Sequence, residues 1–593
     1  MSRPWSFSTT VRNPERLREF LRVLQEMEGR PFDTEAQVEY QCRLISRHLY
    51  RPVGTIPSVA RSAFEDFEHD IPLDVARLIF DSQQYVDAAM RGRQSANPLN
   101  KLGLSVARDS SGPVRITPLG RKFLDERTDI AAFFRTILLK WQLPNPWENM
   151  RWPPLETDFS IVPLIATLHL LAAVEARSGR SDITQREFCL FVPTLLDGLS
   201  VPAQVDRLMS FRNAENRDDW ERSFVDEFYG GLATDKQRAT LYDYGDNTIR
   251  YFRLTKWIRV EVGALGGYWT CGLEPSRRVE IDQLLAAFDG QARPFASLEQ
   301  WQDFMWDDEQ PLLPWRQRNK LVAVAYGVSA EFRRVAAQEP SIGAELLRQP
   351  TEFDFDSMDE AALEDYVERV RDLINEARSR QHAAEMRHNV QRLLELARIL
   401  GDRRRLRDLE PEDFERLLAD VLLALDDAET IAPNYVADDG GQPIAHAPAG
   451  KPDIECFYES MIGTVEVTLD SSSMQWVREG QPVQRHLRGF EGRNPGKPAY
   501  CLFVAPSIHR DTYSTFYVAD TAGYDGRALG VVPLSCAQLG HMLEHAAKMI
   551  ERGSPVNQTG MHQWLQSVVA AAQVADGFGA WQTGIEALMD GCP

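Results

Sequence analysis

Period-two alternation of apolar and polar residues occurs in two widely separated stretches and predicts strands in both. Ile258, Val260 and Val262 alternate with Arg259 and Glu261. Further along, Val465, Val467 and Leu469 fall on one side of a strand, and Thr464, Glu466, Thr468 and Asp470 fall on the other. The first strand belongs to a recurring pattern of helix, strand, Gly-containing turn and strand. One copy follows Asp74 to Arg91: Leu99 to Arg108 leads into the turn Asp109-Ser-Ser-Gly-Pro113, then Val114 to Thr117, then a helix start at Pro118 capped by Thr117. The second copy runs from helix-like Gln185–Leu196 to Tyr251–Leu265, Gly266-Gly267 and Tyr268–Gly272. Both read as winged helices. From about Asp354 to Asp408 the chain is helical, charged and poor in Gly and Pro, with sparse apolar positions at Leu373, Val390, Leu393, Leu394 and Leu396. The whole predicts a multidomain α/β chain. Winged-helix-like subdomains occupy 1–150 and 151–295, a helical linker occupies 296–400, and a C-terminal domain of mixed sheet flanked by helices occupies 401–593.

Composition narrows the class. The 593 residues are 43% hydrophobic and 26% charged, ordinary globular values for a chain long enough for several cores. With 66 Lys and Arg against 87 Asp and Glu the net charge is −21, which excludes coating of nucleic acid or anionic membrane by bulk electrostatics. Any nucleic-acid surface is therefore local. One basic stretch stands out: nine arginines against five acids from Glu376 to Asp408, suited either to a solvated helix face or to phosphate contact. Seven scattered cysteines form no CxxC pair, and no long apolar run or leader-like segment is visible, so a cytoplasmic protein without membrane association is expected.

The candidate chemistry lies near the second alternating strand. Pro452-Asp453 heads a short run, Ile454 to Phe457, and Glu466 lies within the strand that follows a turn at Met461 to Gly463. In a hairpin the two acids approach one another and offer hard oxygen ligands to one divalent cation, the arrangement of nucleases with a PD-x(n)-(D/E)-x-K core. Polar strand residues facing solvent would give the same pattern. The motif also departs from its general form, because Thr468 stands where lysine is usual and its hydroxyl supplies neither positive charge nor a base. A rival HxxEH pattern, His541-Met-Leu-Glu-His545, would place two histidines one helical turn apart, yet lacks an evident third ligand and reads as an amphipathic helix. Gly450-Lys451 precedes Pro452 rather than Ser or Thr, and GxGxxG and GxSxG do not occur, so no nucleotide cofactor is expected.

Several segments in order resemble one family. Trp5-Ser-Phe-Ser-Thr-Thr-Val-Arg-Asn-Pro-Glu-Arg16, Pro452-Asp453, Val465-Glu-Val-Thr-Leu469 and Arg478-Glu-Gly-Gln-Pro-Val-Gln-Arg-His486 are together similar to the AlwI-type type IIS restriction endonucleases, which include the nicking BstNBI type. In that family Thr468 is the expected residue. The resemblance implies an N-terminal part that reads a short asymmetric DNA site and a C-terminal nuclease, dependent on Mg2+, that cuts at a fixed offset. It further implies active-site roles for Glu415 on a preceding helix and for Glu479 and His486 after the catalytic strand, with Asp453 and Glu466 as metal ligands. Pro482 suits the first turn of a helix, which would leave Glu479 in the loop before it and His486 one turn deeper.

The partner implied is double-stranded DNA, with a transient homodimer on DNA or a smaller catalytic subunit to serve the second strand. A strand-specific nickase of the same family and a non-cleaving winged-helix regulator are the alternatives. By residue type and placement, Arg12, Asn13, Arg91, Arg93, Arg115, Gln185 and Arg186 are candidates for contact with bases or phosphates.

Overall fold

The structure is a computed structural model, which describes residues 3–592 apart from 8–10, 12, 15, 53, 66–68, 110–111, 126, 150–157, 263–268, 339–353, 408, 410, 440, 448–449, 473, 524–525, 555 and 590–591. The chain divides into two compact units, Met1–Glu261 with Trp269–Ile374 and Asp438–Gly440, and Val262–Tyr268 with Asn375–Ala437 and Gly441–Pro593. The segment expected as a linker, 296–400, is shared between them. Helices Leu298–Trp306 and Arg318–Gln338 lie in the first unit, while Val390–Gly401 contributes Leu393, Leu396 and Ile399 to the core of the second.

The first unit is mainly helical. Its first helices, Arg16–Gln25, Thr34–Ser46, Ser58–Glu65, Leu73–Ser82 and Ala88–Lys101, precede a two-stranded antiparallel hairpin of Ser105–Val106 and Arg115–Ile116 and the helix Pro118–Leu124. Thr117 caps that helix through Gly120 N. The second patterned stretch gives a three-stranded sheet in which Trp269–Leu273 lies between Ile183–Thr184 and Ile258–Val262, next to helix Gln185–Phe191. The turn at Gly266-Gly267 lies outside the described residues, as does Arg12. The opening segment is held by its aromatic rings: Trp5 and Phe7 are buried, Phe7 stacks on Trp141 and Tyr251 with centroids 3.9 and 4.6 Å apart, and Trp5 Nε1 donates to Leu195 O at 2.9 Å.

The second unit has its sheet in the middle. In chain order its labelled elements are α1 (Val390–Gly401), α2 (Arg403–Arg407), α3 (Pro411–Leu425), β1 (Thr430–Pro433), β2 (Val436–Ala437), β3 (Pro443–Ala445), β4 (Ile454–Phe457), β5 (Ile462–Val467), α4 (Gln475–Arg493), β6 (Ala499–Ala505), α5 (Arg510–Thr521), β7 (Val531–Ser535) and α6 (Cys536–Glu551). Helices Gln558–Val574 and Phe578–Leu588 follow. Strands β2 and β3 form a separate small hairpin, and the main sheet has the order β7-β6-β5-β4-β1. β5 pairs with β6 in parallel and with β4 antiparallel, with Val465 opposite Leu502 on one side and Ile454 on the other. β5 is thus central and covered on both faces, so the polar side of its alternation is buried too: Thr464 is 1% and Glu466 6% exposed. A solvent-facing strand would leave both in water.

An acid-rich candidate active site in the second unit

The β4–β5 hairpin brings its two acids together. Asp453 immediately precedes β4, and the register that sets Ile454 opposite Val465 carries it alongside Glu466. The Asp453 carboxylate accepts a hydrogen bond from Val467 N at 2.8 Å, tying the head of one strand to the end of the other. Helix α3 supplies Glu415. Its first-turn acids suit the positive end of the helix dipole, while Phe414, Leu418, Val421 and Leu422 bury its other face.

Helix α4 supplies the remaining groups, in a way the sequence reading placed differently. It begins at Gln475, so Pro482 lies within it rather than in its first turn and Glu479 is helical rather than in a preceding loop. Proline removes one backbone donor there, a loss that the buried stripe of Val483, Leu487 and Phe490 offsets. Glu479 and His486 are seven residues apart, two turns, and share a face. His486 Nδ1 lies 2.8 Å from Glu466 Oε1, and Glu479 is hydrogen-bonded by the Thr468 hydroxyl. Thr468, in the usual lysine position, therefore orients an acid.

Two further residues join the group without any forecast from the sequence. His446, just after β3, sets Nδ1 2.6 Å from Glu415 Oε1 and Nε2 3.2 Å from Glu412 Oε1. No periodicity marks His446, and its partners are about thirty positions away, so only the folded chain brings it to the acids.

The electrostatics are those of negative charge crowded into a place with little water. Burial and then the neighbouring Glu415 push the Asp453 carboxyl up to about 7, against a pull from His446. Burial raises Glu479 to about 7, and burial with Asp453, Glu479 and Glu415 raises Glu466 well above the usual carboxylate range. Burial, with Arg485 and Arg493 nearby, lowers the His486 imidazole. Oε2 of Glu415 is buried with no hydrogen-bond donor among the described residues. No lysine or arginine there pairs with Glu415, Asp453, Glu466 or Glu479. Among the described residues no three His, Cys, Asp or Glu side chains already stand at coordination geometry. The donor set nevertheless fits a hard divalent cation, since it offers several carboxylate oxygens, one of them orphaned, and no positive charge to satisfy them.

The candidate DNA contacts fare unevenly. In the first unit Arg93 pairs with Asp87 at 2.7 Å and Arg186 with Asp218 and Glu221 at 2.6 and 2.7 Å. Arg91 lies over the Tyr85 ring and Arg115 over Trp306, with Asn13 and Gln185 also engaged within the fold. His541 and His545 lie on α6, whose Leu539, Met542, Leu543 and Ala546 are buried, as an amphipathic helix requires.

The profile of the AlwI restriction endonuclease family matches residues 100–542, a span that includes Glu415, Asp453, Glu466, Glu479 and His486. The Trp5–Arg16 segment precedes it. No curated protein matches the chain. Among solved structures, the small subunit of the heterodimeric restriction endonuclease R.BspD6I is 22% identical, covering 33% of this chain and 98% of its own, with a TM-score of 0.28. Restriction endonuclease FokI is 11% identical, covering 94% and 97%, with a TM-score of 0.22. The family match spans most of the sequence, and the chain belongs to the AlwI restriction endonuclease family.

Proposed function

We propose that this chain is a sequence-specific type IIS DNA endonuclease, dependent on Mg2+, whose first unit reads an asymmetric site and whose second unit hydrolyses a phosphodiester. The observation that carries the reading is the convergence of Asp453, Glu466, Glu479 and Glu415 without a cationic side chain among the described residues to balance them. Asp453 and Glu466 would hold the cation, with Glu415 and Glu479 beside them. A bound Mg2+ supplies charge neutralisation at the scissile phosphate and lowers the pKa of its water.

The chain's own residues do the rest. His446 fixes the rotamer of Glu415 through the 2.6 Å contact, and Thr468 does the same for Glu479. With Nδ1 of His486 donating to Glu466, its Nε2 is left as an acceptor that takes a proton from water attacking phosphorus. The bond to the 3′ oxygen breaks, and the departing oxyanion takes a proton from solvent water, leaving 5′-phosphate and 3′-hydroxyl ends.

The test is incubation of supercoiled plasmid with the protein, with Mg2+ or with EDTA, followed by sequencing of the cut ends. Ends at a fixed offset from a common short sequence, absent in EDTA, are expected. An intact plasmid under all divalent conditions would overturn the reading in favour of a non-cleaving DNA-binding regulator. One Asp–Glu pair serves one phosphate at a time, so nicked circles precede linear product. Conversion that steepens with protein concentration supports a transient dimer on DNA, whereas nicks that never convert make the chain a nickase awaiting a smaller subunit.

A further inference from the structure

The arginine-rich stretch between Glu376 and Asp408 sorts into two groups once folded. Arg380 pairs with Glu376, Arg387 with Asp426 at 3.0 Å, Arg392 with Glu395 at 2.7 Å and Arg405 with Asp402 at 3.4 Å, and Arg378 is also engaged. Arg398, Arg403, Arg404 and Arg407 are exposed, and their guanidinium groups meet no acid, carbonyl or ring among the described residues. They account for the excess of nine arginines over five acids in a chain of charge −21.

Local energetics do not favour this arrangement. Arg403 and Arg404 open α2, where the helix dipole disfavours cations, and Arg403 and Arg407 are like charges four residues apart. Leu406 anchors the opposite side of α2 in the core of the unit, so the arginines are held outward on a fixed element rather than on a loose tail. α2 also packs against α1, which carries Arg398.

Position supplies the occupant. Glu412 on α3 lies five positions after Arg407, at most roughly 18 Å of chain. Phosphates of one strand recur every ~3.4 Å of helix axis, so α2 lies within the span of about five nucleotides flanking a scissile phosphate held at the acids. We propose that Arg398, Arg403, Arg404 and Arg407 form a sequence-independent clamp on the phosphate backbone of double-stranded DNA flanking the scissile bond. The proposal rests on the nuclease reading and deepens it. A site of clustered carboxylates repels a polyanion, and a basic surface beside it holds the substrate against that repulsion.

The test uses the full-length protein and a random-sequence duplex, with Ca2+ in place of Mg2+, and follows affinity as salt is raised. The triple variant Arg403→Gln/Arg404→Gln/Arg407→Gln should flatten the slope of log K against log salt by about 2.7, or about 0.9 per arginine. Its affinity deficit relative to wild type should then shrink roughly 40-fold between 50 and 200 mM salt. The triple Arg→Lys variant should retain the wild-type slope. Single Gln variants, each flattening it by about 0.9, carry the test if the triple variant does not fold. A folded Gln variant with the wild-type slope overturns the clamp while leaving the nuclease reading intact. A wild-type protein that neither binds nor cuts DNA overturns the nuclease reading itself.

Discussion

Glu39 in the first unit and Asp453 in the second are both carboxylates within their folds, and their surroundings push them in opposite directions. Hydrogen bonds from Arg30 and Arg43 hold Glu39 down to about 2, against some cost of burial. Among the described residues Asp453 has no such partner: burial and Glu415 push it up to about 7. The first unit repeats the Glu39 solution, with Glu187 buried against Arg212 at 2.7 Å and Glu26 shared by Arg43 and Arg47 at 2.7 and 2.8 Å. These first-unit acids are balanced by arginines of the chain itself. The acids around Asp453 are not, and a folded protein bears that cost where a ligand is to provide the missing charge.

The comparison breaks if the unbalanced acids are dispensable. Asp453→Ala or Glu466→Ala is expected to lower cleavage at least a hundredfold, about 3 kcal/mol of transition-state stabilisation, while leaving binding of the cognate duplex in place. Plasmid cleavage and gel shifts on the same preparations measure both, and normal cutting by either variant removes Asp453 and Glu466 from the mechanism. His446 tests the supporting contacts. His446→Ala frees the Glu415 carboxylate, and a loss of roughly 10- to 100-fold in cleavage is expected, with a higher Mg2+ concentration needed for half-maximal rate. A variant with an unchanged Mg2+ requirement would leave His446 a packing residue only.

How much of this was legible in the sequence varied with the kind of signal. Asp453 and Glu466 were readable because strand alternation and a hairpin turn are local patterns, and the register of β4 on β5 follows from them. β6 and β7 gave no such signal. Both are parallel and β7 is apolar along most of its length, so periodicity does not distinguish them from buried helix. The start of α4 was misplaced because Pro482 is a helix-start cue, and tertiary packing of Val483, Leu487 and Phe490 overrode it. His446 and Glu412 were invisible for a different reason, since a contact across about thirty positions leaves no spacing to read.

A third acid sharpens the comparison because it lacks both solutions. Asp427 is buried in the second unit, accepts a hydrogen bond from the Tyr458 hydroxyl at 3.0 Å, and is pushed up to about 6 mainly by burial. Its folded pKa lies above its unfolded value, so the folded state binds more protons between about pH 4 and 6 and loses stability as pH rises through that window. Asp427→Asn removes the charge and keeps an acceptor for Tyr458. It should stabilise the protein at pH 8 by up to roughly 2 kcal/mol, with the gain gone by about pH 4. Urea unfolding at the two pH values measures it, and a gain that persists at low pH would mean that ionisation is not the cause.

The smallest effect is expected where the chain has already balanced its own charge. Glu39→Gln breaks the pairs with Arg30 at 2.6 Å and Arg43 at 2.9 Å, but the Arg30 side chain is 47% exposed and water screens much of the attraction. A loss of about 0.5–1 kcal/mol in stability at pH 7 follows, with cleavage within about twofold of wild type. Because the folded pKa is depressed, the contribution is present above about pH 4.5 and fades as pH falls toward 2, so wild type and variant should converge in acid. Thermal melts from pH 7 down to 3 follow that convergence. If instead Glu39→Gln cost as much cleavage as Asp453→Ala, paired and unpaired acids would be equally tied to the chemistry, and the absence of a cationic partner would no longer mark the site.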